Sequence, residues 1–204
     1  MADSELIRKY GIPLPVAKIV NTKQEAVDAA KHMGFPVVLK IVSKTILHKS
    51  DVGGVKLEIQ NELQLREAFE AMEKNIPKKD IEGFLVQRWY PGHWAFIGMK
   101  RDSQFGPVIA FGMGGIFVEI MKDVSLRIAP ITESDAREMI KEIKAYPVLE
   151  GARGGIKADT ELLVKILLAV SKLSMENNDI KELDLNPVVI NDKEAAAVDV
   201  RIIR

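Results

Sequence analysis

Apolar positions along the chain follow a helical period in some segments and a strand-like period in others. The first helical segment begins at Thr22, which forms a capping box with Glu25, and ends at Gly34, a residue suited to a helix C-cap. Comparable start signals predict helices from Asn61 to about residue 75, from Thr132 to about residue 144 and from residue 159 to about residue 177.

Short apolar runs between these helices predict strands. The runs cover residues 37–42, 52–60, 83–89, 95–99, 108–111, 185–190 and 195–202. Many of them are joined by short turns and not by helices, which predicts an α+β protein with antiparallel sheets instead of a doubly wound parallel sheet. The Pro91-Gly92 turn divides the predicted fold into two lobes, residues 1–90 and 91–204.

The composition of the 204 residues is that of a folded globular protein, with 47% hydrophobic and 28% charged residues. Lys plus Arg and Asp plus Glu both number 29, so no surplus positive charge is available for a nucleic acid. The absence of cysteine excludes disulfides, thiolate nucleophiles and cysteine-ligated zinc. The most apolar helical run, residues 162–170, contains Lys165 and is far shorter than the roughly 20 residues of a membrane span. We therefore expect a cytoplasmic protein that binds neither nucleic acid nor membrane.

A basic segment at residues 40–56 is the first candidate for chemistry. It contains four lysines against a single acidic residue, Asp51, and its loop ends in Gly53 and Gly54. A predicted strand delivers Lys40, and the glycines allow backbone N–H groups to approach a ligand closely. This pattern suits a polyphosphate, and it also suits a solvent-exposed basic hairpin with a glycine bulge.

His48 lies within this segment, three residues before Asp51. The nitrogen of a neutral imidazole is nucleophilic, so a histidine among phosphate-binding groups is a candidate phosphoryl acceptor. Asp51 would then fix the tautomer of the ring. A plain phosphate contact by His48 is the alternative interpretation.

A glycine-containing segment at residues 105–119 is the second candidate. Gly112, Gly114 and Gly115 lie between two apolar runs, an arrangement that allows a turn to approach a phosphate. The pattern is not a dinucleotide-binding fingerprint, because no third glycine occupies the required position. Glycines between strands are also typical of an ordinary tight turn.

An acidic segment at residues 182–199 is the third candidate, with five acidic residues against one lysine. Asp184 and Asn186 are two residues apart in a predicted strand, so their side chains point to the same face, and Asp199 is placed to join them from a neighbouring strand. Hard oxygen ligands without His or Cys suit Mg²⁺. An acidic sheet edge has the same composition. Basic and acidic segments in one neutral chain favour a site for Mg²⁺ and a nucleoside triphosphate.

Several strings in these segments together identify a family. They are HKSDVGGV at residues 48–55, a long string containing FGMGGIFVE at residues 100–130, GARGG at residues 151–155, ELDLNP at residues 182–187 and AVD at residues 197–199. Over nearly its whole length the chain resembles the ATP-grasp β subunit of ADP-forming acyl-CoA synthetases, relatives of succinyl-CoA synthetase. The resemblance implies an ATP-grasp fold of two lobes, with mixed or antiparallel sheets flanked by helices.

The implied activity is the reversible conversion of acyl-CoA, ADP and phosphate into free acid, CoA and ATP, as in an acetate–CoA ligase. By resemblance, His48 takes a phosphoryl group from a phosphorylated histidine of a partner and passes it to ADP. That partner is a separate α subunit, which carries the CoA and acyl chemistry. The usual assembly of the family is a heterotetramer of two α and two β subunits. Because the chain ends at Arg204, it leaves no room for a CoA-binding domain of its own, and we expect activity only with that partner.

The resemblance also implies roles for further residues. Lys40 matches the lysine that binds nucleotide phosphates, and Arg153 is implied as an anion or subunit contact. The remaining matches are the adenine-contacting hinge at Gln87, Arg88 and Trp89, the glycine loop near the transferred phosphate at Gly114 and Gly115, and the Mg²⁺ ligands Asn186 and Asp199 with Asp184 beside them.

One position departs from the ATP-grasp pattern. Trp94 stands where a glutamate usually binds the ribose hydroxyls, and an indole ring accepts no such hydrogen bond. This departure favours only the second of two alternative functions that stay open. One is an ATP-grasp carboxylate ligase that uses no phosphohistidine, and the other is a non-catalytic nucleotide-binding subunit.

Overall fold

Antiparallel strands and amphipathic helices alternate along the chain in the computed structural model, which describes residues 2–46, 49–114 and 122–204. The helices are α1 (Ala2–Lys9), α2 (Lys23–Met33), α3 (Glu62–Asn75), α4 (Glu133–Glu142), α5 (Tyr146–Leu149) and α6 (Thr160–Glu176). The strands are β1 (Ala17–Val20), β2 (Val37–Val42), β3 (Val55–Ile59), β4 (Gly83–Arg88), β5 (His93–Asp102), β6 (Gly106–Met113), β7 (Val124–Ile128), β8 (Glu182–Ile190), β9 (Ala195–Ala197) and β10 (Val200–Ile203). Short 3₁₀ turns lie at Lys78–Asp80 and Ala152–Gly154.

The predicted α+β class with antiparallel sheets is confirmed. Two capping boxes start helices where the sequence predicted helix starts: Thr22 with Glu25 begins α2, and Thr132 with Asp135 begins α4. Asn61 and Asp159 cap α3 and α6 through their side chains. The strand predicted over residues 195–202 is divided into β9 and β10.

The chain divides into two compact units. Pro15–Trp89 forms the four-stranded unit, whose sheet has the order β1–β4–β2–β3. Met1–Leu14 together with Tyr90–Arg204 forms the six-stranded unit, whose sheet has the order β10–β8–β5–β6–β7, with β9 paired to β8. All strand pairs in the two sheets are antiparallel.

The division after residue 89 lies close to the predicted one, but the first 14 residues belong with the C-terminal part of the chain and not with the first lobe. The reason is packing. Ile7 and Ile12 are fully buried in the core of the six-stranded unit, and Tyr10 donates a hydrogen bond from its hydroxyl to Glu176, 2.7 Å away. Arg204 also pairs with Asp3 at 2.9 Å, so α1 is held at both ends.

Each sheet has one face covered by helices. In the four-stranded unit, α2 and α3 bury Val37, Leu39 and Ile41 of β2. In the six-stranded unit, α4 and α6 bury Leu183 and Leu185 of β8. The polar residues of the same strands therefore lie on the opposite, open face, because side chains along a strand alternate between the faces. No helix in the described part of the chain is long and apolar enough to cross a membrane.

Candidate functional site

The open face of the four-stranded sheet carries Lys40 and Gln87. Lys40 alternates with the core residues of β2, so its side chain points away from the helices. In the register of β2 and β4, Val38 lies opposite Gln87 and Lys40 lies opposite Leu85. Because directly opposed residues share a face, Lys40 and Gln87 are diagonal neighbours on that face.

Gln87 is a buried amide with an unsatisfied acceptor. Its side chain is only 1% exposed, and its Oε1 has no hydrogen-bond partner among the described residues. A buried polar atom without a partner costs roughly 1–3 kcal/mol, so such an atom is expected where a ligand supplies the partner. The two following backbone amides are already used, since Arg88 N–H donates to Val16 O at 2.9 Å and Trp89 N–H donates to Pro36 O at 3.2 Å.

The glycines of the basic loop close a turn. Gly53 N–H donates to Ser50 O at 3.1 Å, and Gly54 N–H donates to Lys49 O at 2.7 Å. These two amides are therefore engaged within the loop, which differs from the expectation that they approach a ligand. A Cβ at Gly54 would lie 2.9 Å from the backbone oxygen of Lys49, which cannot move aside as a side chain could, so the turn requires glycine there. Asp51 is exposed at the tip of this turn, and His48 lies outside the described residues.

The open face of the six-stranded sheet carries the acidic residues. Asp184 and Asn186 flank the buried Leu185 on β8, so they share the open face, as the sequence predicted. Asp184 lies opposite Gly98 of β5 on one side and opposite Arg201 of β10 on the other. Asp199 is exposed immediately before β10, and its Oδ1 accepts a hydrogen bond from Val200 N–H at 3.0 Å.

Burial raises the pKa of Asp184, and the negative charges of Glu182 and Asp199 raise it further, while Arg201 opposes the shift. The Oδ1 atom of Asp184 is buried and has no hydrogen-bond partner among the described residues. The Oδ1 atom therefore lacks the hydrogen bond that a buried oxygen requires, and Arg201 only partly offsets the unfavourable environment of the carboxylate. Glu182, which the sequence analysis counted among the acidic residues but did not assign to the site, belongs to this charged group.

A groove lies beside Asp184 on the same open face. Its volume is about 430 Å³, and its lining includes Phe96, Gly98, Val108, Leu126 and Asp184. A Cβ on Gly98 would lie 2.7 Å from Cζ of Phe96, so the ring of Phe96 covers the backbone at this point. The apolar lining explains why the carboxyl group of Asp184 is poorly solvated.

The described residues contain no group of three or more His, Asp or Glu side chains placed to hold a metal ion. The oxygen donors on this face are instead the carboxylate of Asp184 and the amide of Asn186, a small set that suits a Mg²⁺ ion that keeps several waters and shares the phosphates of a substrate. The unpartnered Oδ1 atom fits this interpretation, because a cation would supply the missing partner. Asp184, Asn186 and Asp199 thus fit a magnesium site.

Gly114 lies beside this group. Its N–H donates to Trp94 O at 2.7 Å, and a Cβ at Gly114 would lie 3.0 Å from Ala95 O and 3.2 Å from Asn186 Oδ1. The absence of a side chain at Gly114 thus lets the backbone of this residue lie close to Asn186. Gly115 lies outside the described residues, and Trp94 is 36% exposed on β5.

Arg153 lies in the loop between α5 and α6. Its backbone has a left-handed φ of 58°, and its side chain is exposed. Sequence analysis missed one contact of this loop: Nε2 of His93 lies 2.5 Å from Ile156 O. No local pattern predicts that contact, because the two residues are 63 positions apart.

The comparisons with known proteins agree with this fold. Residues 1–203 match the ATP-grasp domain family. The β subunit of ADP-forming acetate–CoA ligase I from Pyrococcus furiosus is 49% identical over 204 residues, covering 98% of this chain and 88% of the relative. ADP-forming acetate–CoA ligase I of Archaeoglobus fulgidus is 48% identical over 97% of this chain, but the match covers only 30% of that longer protein.

Acetyl-coenzyme A synthetase 1 of Ca. Korarchaeum cryptofilum superposes with a TM-score of 0.84 at 45% identity, covering 98% of this chain and 89% of that one. That protein is in complex with coenzyme A and Mg-AMPPCP, and its phosphohistidine segment points towards the nucleotide binding site. The fold and the site thus define an ATP-grasp protein. The chain belongs to the ATP-grasp family of ADP-forming acyl-CoA synthetases.

Proposed function

We propose that the chain is the nucleotide-binding β subunit of an ADP-forming acyl-CoA synthetase of the acetate–CoA ligase type. The reaction converts acyl-CoA, ADP and phosphate into free acid, CoA and ATP. The observation that carries the proposal is the buried Oδ1 atom of Asp184, which has no hydrogen-bond partner among the described residues and lies beside Asn186, a group that suits a magnesium-bound phosphate. The 49% identity to an acetate–CoA ligase β subunit supports the choice of reaction.

The four-stranded unit supplies the direct contacts to the nucleotide. Lys40 binds its phosphates as a charge-assisted hydrogen-bond donor. Gln87 accepts a hydrogen bond at Oε1 from the exocyclic amino group of adenine, which satisfies the buried acceptor. Arg88 and Trp89 complete the hinge beside the base.

The six-stranded unit supplies the magnesium ligands, Asn186, Asp199 and Asp184. When bound, Mg²⁺ neutralises charge on the phosphate oxygens. Gly114 and Gly115 let the chain pass close to the phosphoryl group that is transferred, and Arg153 contacts an anion.

His48 is the phosphoryl acceptor of the relay. The bond between phosphorus and the donor histidine nitrogen breaks as a new bond forms to a His48 nitrogen, and an oxygen of the ADP β-phosphate then displaces His48 to form ATP. Asp51 fixes the tautomer of His48, and Gly53 and Gly54 close the turn that carries Asp51. The Korarchaeum relative, whose phosphohistidine segment points towards its nucleotide site, supports a relay of this kind.

The CoA and acyl chemistry belongs to a separate α subunit in an α2β2 assembly. The Archaeoglobus relative supports this division, because the region similar to this chain makes up 30% of one longer protein there. The expected result is that the chain alone makes no ATP from acetyl-CoA, ADP and phosphate, and that native mass spectrometry of the active enzyme gives two copies of each chain.

Labelling with γ-labelled ATP and Mg²⁺ tests the relay. The wild-type chain is expected to take up an acid-labile, alkali-stable phosphoryl group, and His48→Ala is expected to abolish it. His32→Ala is the matched control, because His32 is an exposed histidine in the last turn of α2. Label that survives in His48→Ala would contradict the proposed acceptor. Nucleotide binding without any label in either protein would favour the non-catalytic nucleotide-binding subunit.

A further inference from the structure

The loop that carries Arg153 has a tightly determined backbone. Gly151, Arg153 and Gly154 have φ values of 83°, 58° and 79°, in the left-handed region that residues other than glycine rarely adopt. Ala158 N–H donates to Leu149 O at 2.8 Å and closes the base of the loop. Since a non-glycine residue holds such a conformation only where its surroundings impose it, the contacts that hold this loop also determine the position of Arg153.

His93 supplies one of these contacts from outside the loop. The ring nitrogen Nε2 lies 2.5 Å from the carbonyl oxygen of Ile156, three residues after Arg153, and donates a hydrogen bond to it. Within the described part of the chain, the backbone hydrogen bonds of this loop leave the carbonyl oxygen of Ile156 to His93. His93 therefore connects the start of β5 to a loop that is distant in sequence.

The backbone of His93 is itself fixed against the end of β8. The buried side chain of Asn191 donates from Nδ2 to Pro91 O at 2.8 Å. A Cβ at Gly92 would lie 2.2 Å from Ile190 O, so the chain here runs in direct contact with β8. His93 also pairs with Ile190 in the sheet register. The backbone that carries the imidazole of His93 is thus held in a fixed position against β8.

The hydrogen bond from His93 holds the loop that carries Arg153. Its guanidinium is exposed, and none of the ion pairs in the described part of the chain involves it. A guanidinium held by a rigid backbone and left unneutralised is suited to bind a phosphoryl group through paired hydrogen bonds. The neighbouring Lys157 is 3.8 Å from Glu150, which leaves Arg153 as the cation at the tip of the loop.

We propose that His93 is a positioning residue, which fixes the loop of residues 150–158 through Ile156 O so that Arg153 contacts a phosphoryl group. The inference rests on the proposed function and deepens it, since it assigns a role to a histidine outside the relay. The phosphoryl group belongs either to the nucleotide or to a phosphorylated histidine, and the experiment below separates the two sources.

The first measurement is amide hydrogen exchange of the isolated chain. In His93→Phe, which keeps a ring but loses the donor, exchange within residues 150–158 is expected to rise about three- to tenfold, the usual worth of one hydrogen bond. His93→Gln keeps a donor with similar reach and is expected to restore most of the protection. His32→Gln is the matched control and leaves the loop unchanged. If the exchange rates of residues 150–158 in His93→Phe equal those of the wild type, the inference is overturned.

The second measurement connects His93 to Arg153 by a double-mutant cycle. Arg153→Gln, His93→Phe and the double variant are compared in Mg-ADP affinity and in the rate of labelling by γ-labelled ATP. Weaker Mg-ADP binding in Arg153→Gln assigns the contact to the nucleotide. Unchanged binding with slower labelling assigns it to the phosphoryl group carried on a histidine.

Whichever of the two quantities Arg153→Gln lowers, Mg-ADP affinity or labelling rate, adding His93→Phe to Arg153→Gln is expected to change it by less than about twofold. Fully additive effects, or no effect of Arg153→Gln on either quantity, overturn the inference. Failure of the proposed function has a different result, because the wild-type chain would then bind no Mg-ADP while the exchange measurement still tests the His93 contact.

Discussion

The open faces of the two sheets each hold one buried oxygen atom without a hydrogen-bond partner among the described residues, but the two atoms differ in charge. Gln87 Oε1 of the four-stranded unit is neutral and lies on the same face as the cation Lys40. Asp184 Oδ1 of the six-stranded unit belongs to a carboxylate whose pKa is raised by burial and by two neighbouring acidic residues.

The difference indicates two kinds of missing partner. A neutral acceptor requires only a hydrogen-bond donor, whereas a buried carboxylate among other carboxylates requires a cation. The four-stranded face is therefore suited to direct contact with a nucleotide, and the six-stranded face to contact through a metal ion. Variants that affect only one of these contacts test the division.

Asp184→Asn is expected to give the largest effect. Turnover should fall about 100- to 1,000-fold, because one charged group that stabilises the transferred phosphoryl is lost. The free energy of unfolding should not fall, since the substitution removes a poorly solvated charge while it keeps the shape of the side chain. The measurements are turnover across a Mg²⁺ titration and the thermal midpoint. Metal-free ADP binding as weak as that of a Lys40 variant would contradict the division.

Lys40→Met is expected to weaken ADP binding roughly 10- to 100-fold, because a charge-assisted hydrogen bond to phosphate is lost. The weaker ADP binding of Lys40→Met should be present without Mg²⁺, whereas Asp184→Asn should bind metal-free ADP normally. Calorimetric titration with ADP, with and without Mg²⁺, measures it. Lys31→Met, at a surface lysine of α2 paired to Glu62, is the control and should bind ADP normally.

Gln87→Met is expected to weaken ADP binding about tenfold through loss of one hydrogen bond to the base. The same change should raise the free energy of unfolding of the free protein by about 1 kcal/mol, since the unpartnered acceptor disappears at nearly constant volume. Fluorescence titration, using Trp89 and Trp94, measures the first effect and urea unfolding the second. A Gln87→Met protein that is less stable than wild type would show that Oε1 is satisfied in solution.

Glu142→Gln is expected to give the smallest effect, a small loss of stability. It tests a carboxyl group whose pKa is lowered by its neighbours, the opposite of Asp184. The Arg127 guanidinium, 2.6 Å from Glu142, and the Ser125 hydroxyl lower the pKa of this carboxyl. A lowered pKa stabilises the fold above the pKa of the unfolded state, and that stability is lost as the pH falls through the folded-state value.

The side chain of Glu142 is 45% exposed, so solvent screening limits the contribution to less than about 1 kcal/mol. The thermal midpoint of Glu142→Gln should lie no more than about 2–4 °C below that of wild type at neutral pH, and the two should converge in acid. A constant difference from pH 7 to pH 3 would remove the electrostatic explanation.

Much of the fold could be predicted from local sequence. Capping boxes at Thr22 and Thr132 and side-chain caps at Asn61 and Asp159 start helices where expected, because capping depends on residues within one helical turn. Strands β1 and β7 were missed. Both are short and carry exposed apolar residues such as Ile19 and Leu126, so they lack the regular alternation that identifies a strand.

The candidate site was predicted in part. Alternation along β8 places Asp184 and Asn186 on one face, which follows from spacing alone. The engaged amides of Gly53 and Gly54 were not predictable, because a glycine pattern does not specify which carbonyl oxygen its N–H groups contact.

The sequence by itself determined the α+β class, the starts of α2, α3, α4 and α6, the family and the residue types that suit a magnesium nucleotide. These depend on periodicity, capping and strings of neighbouring residues, all of which are local. Only the tertiary structure decided that α1 belongs to the six-stranded unit, that Oε1 of Gln87 and Oδ1 of Asp184 find no hydrogen-bond partner among the described residues, and that His93 reaches Ile156. Burial and long-range contact depend on which distant segments pack together, and the free energy that selects this packing is a property of the whole fold.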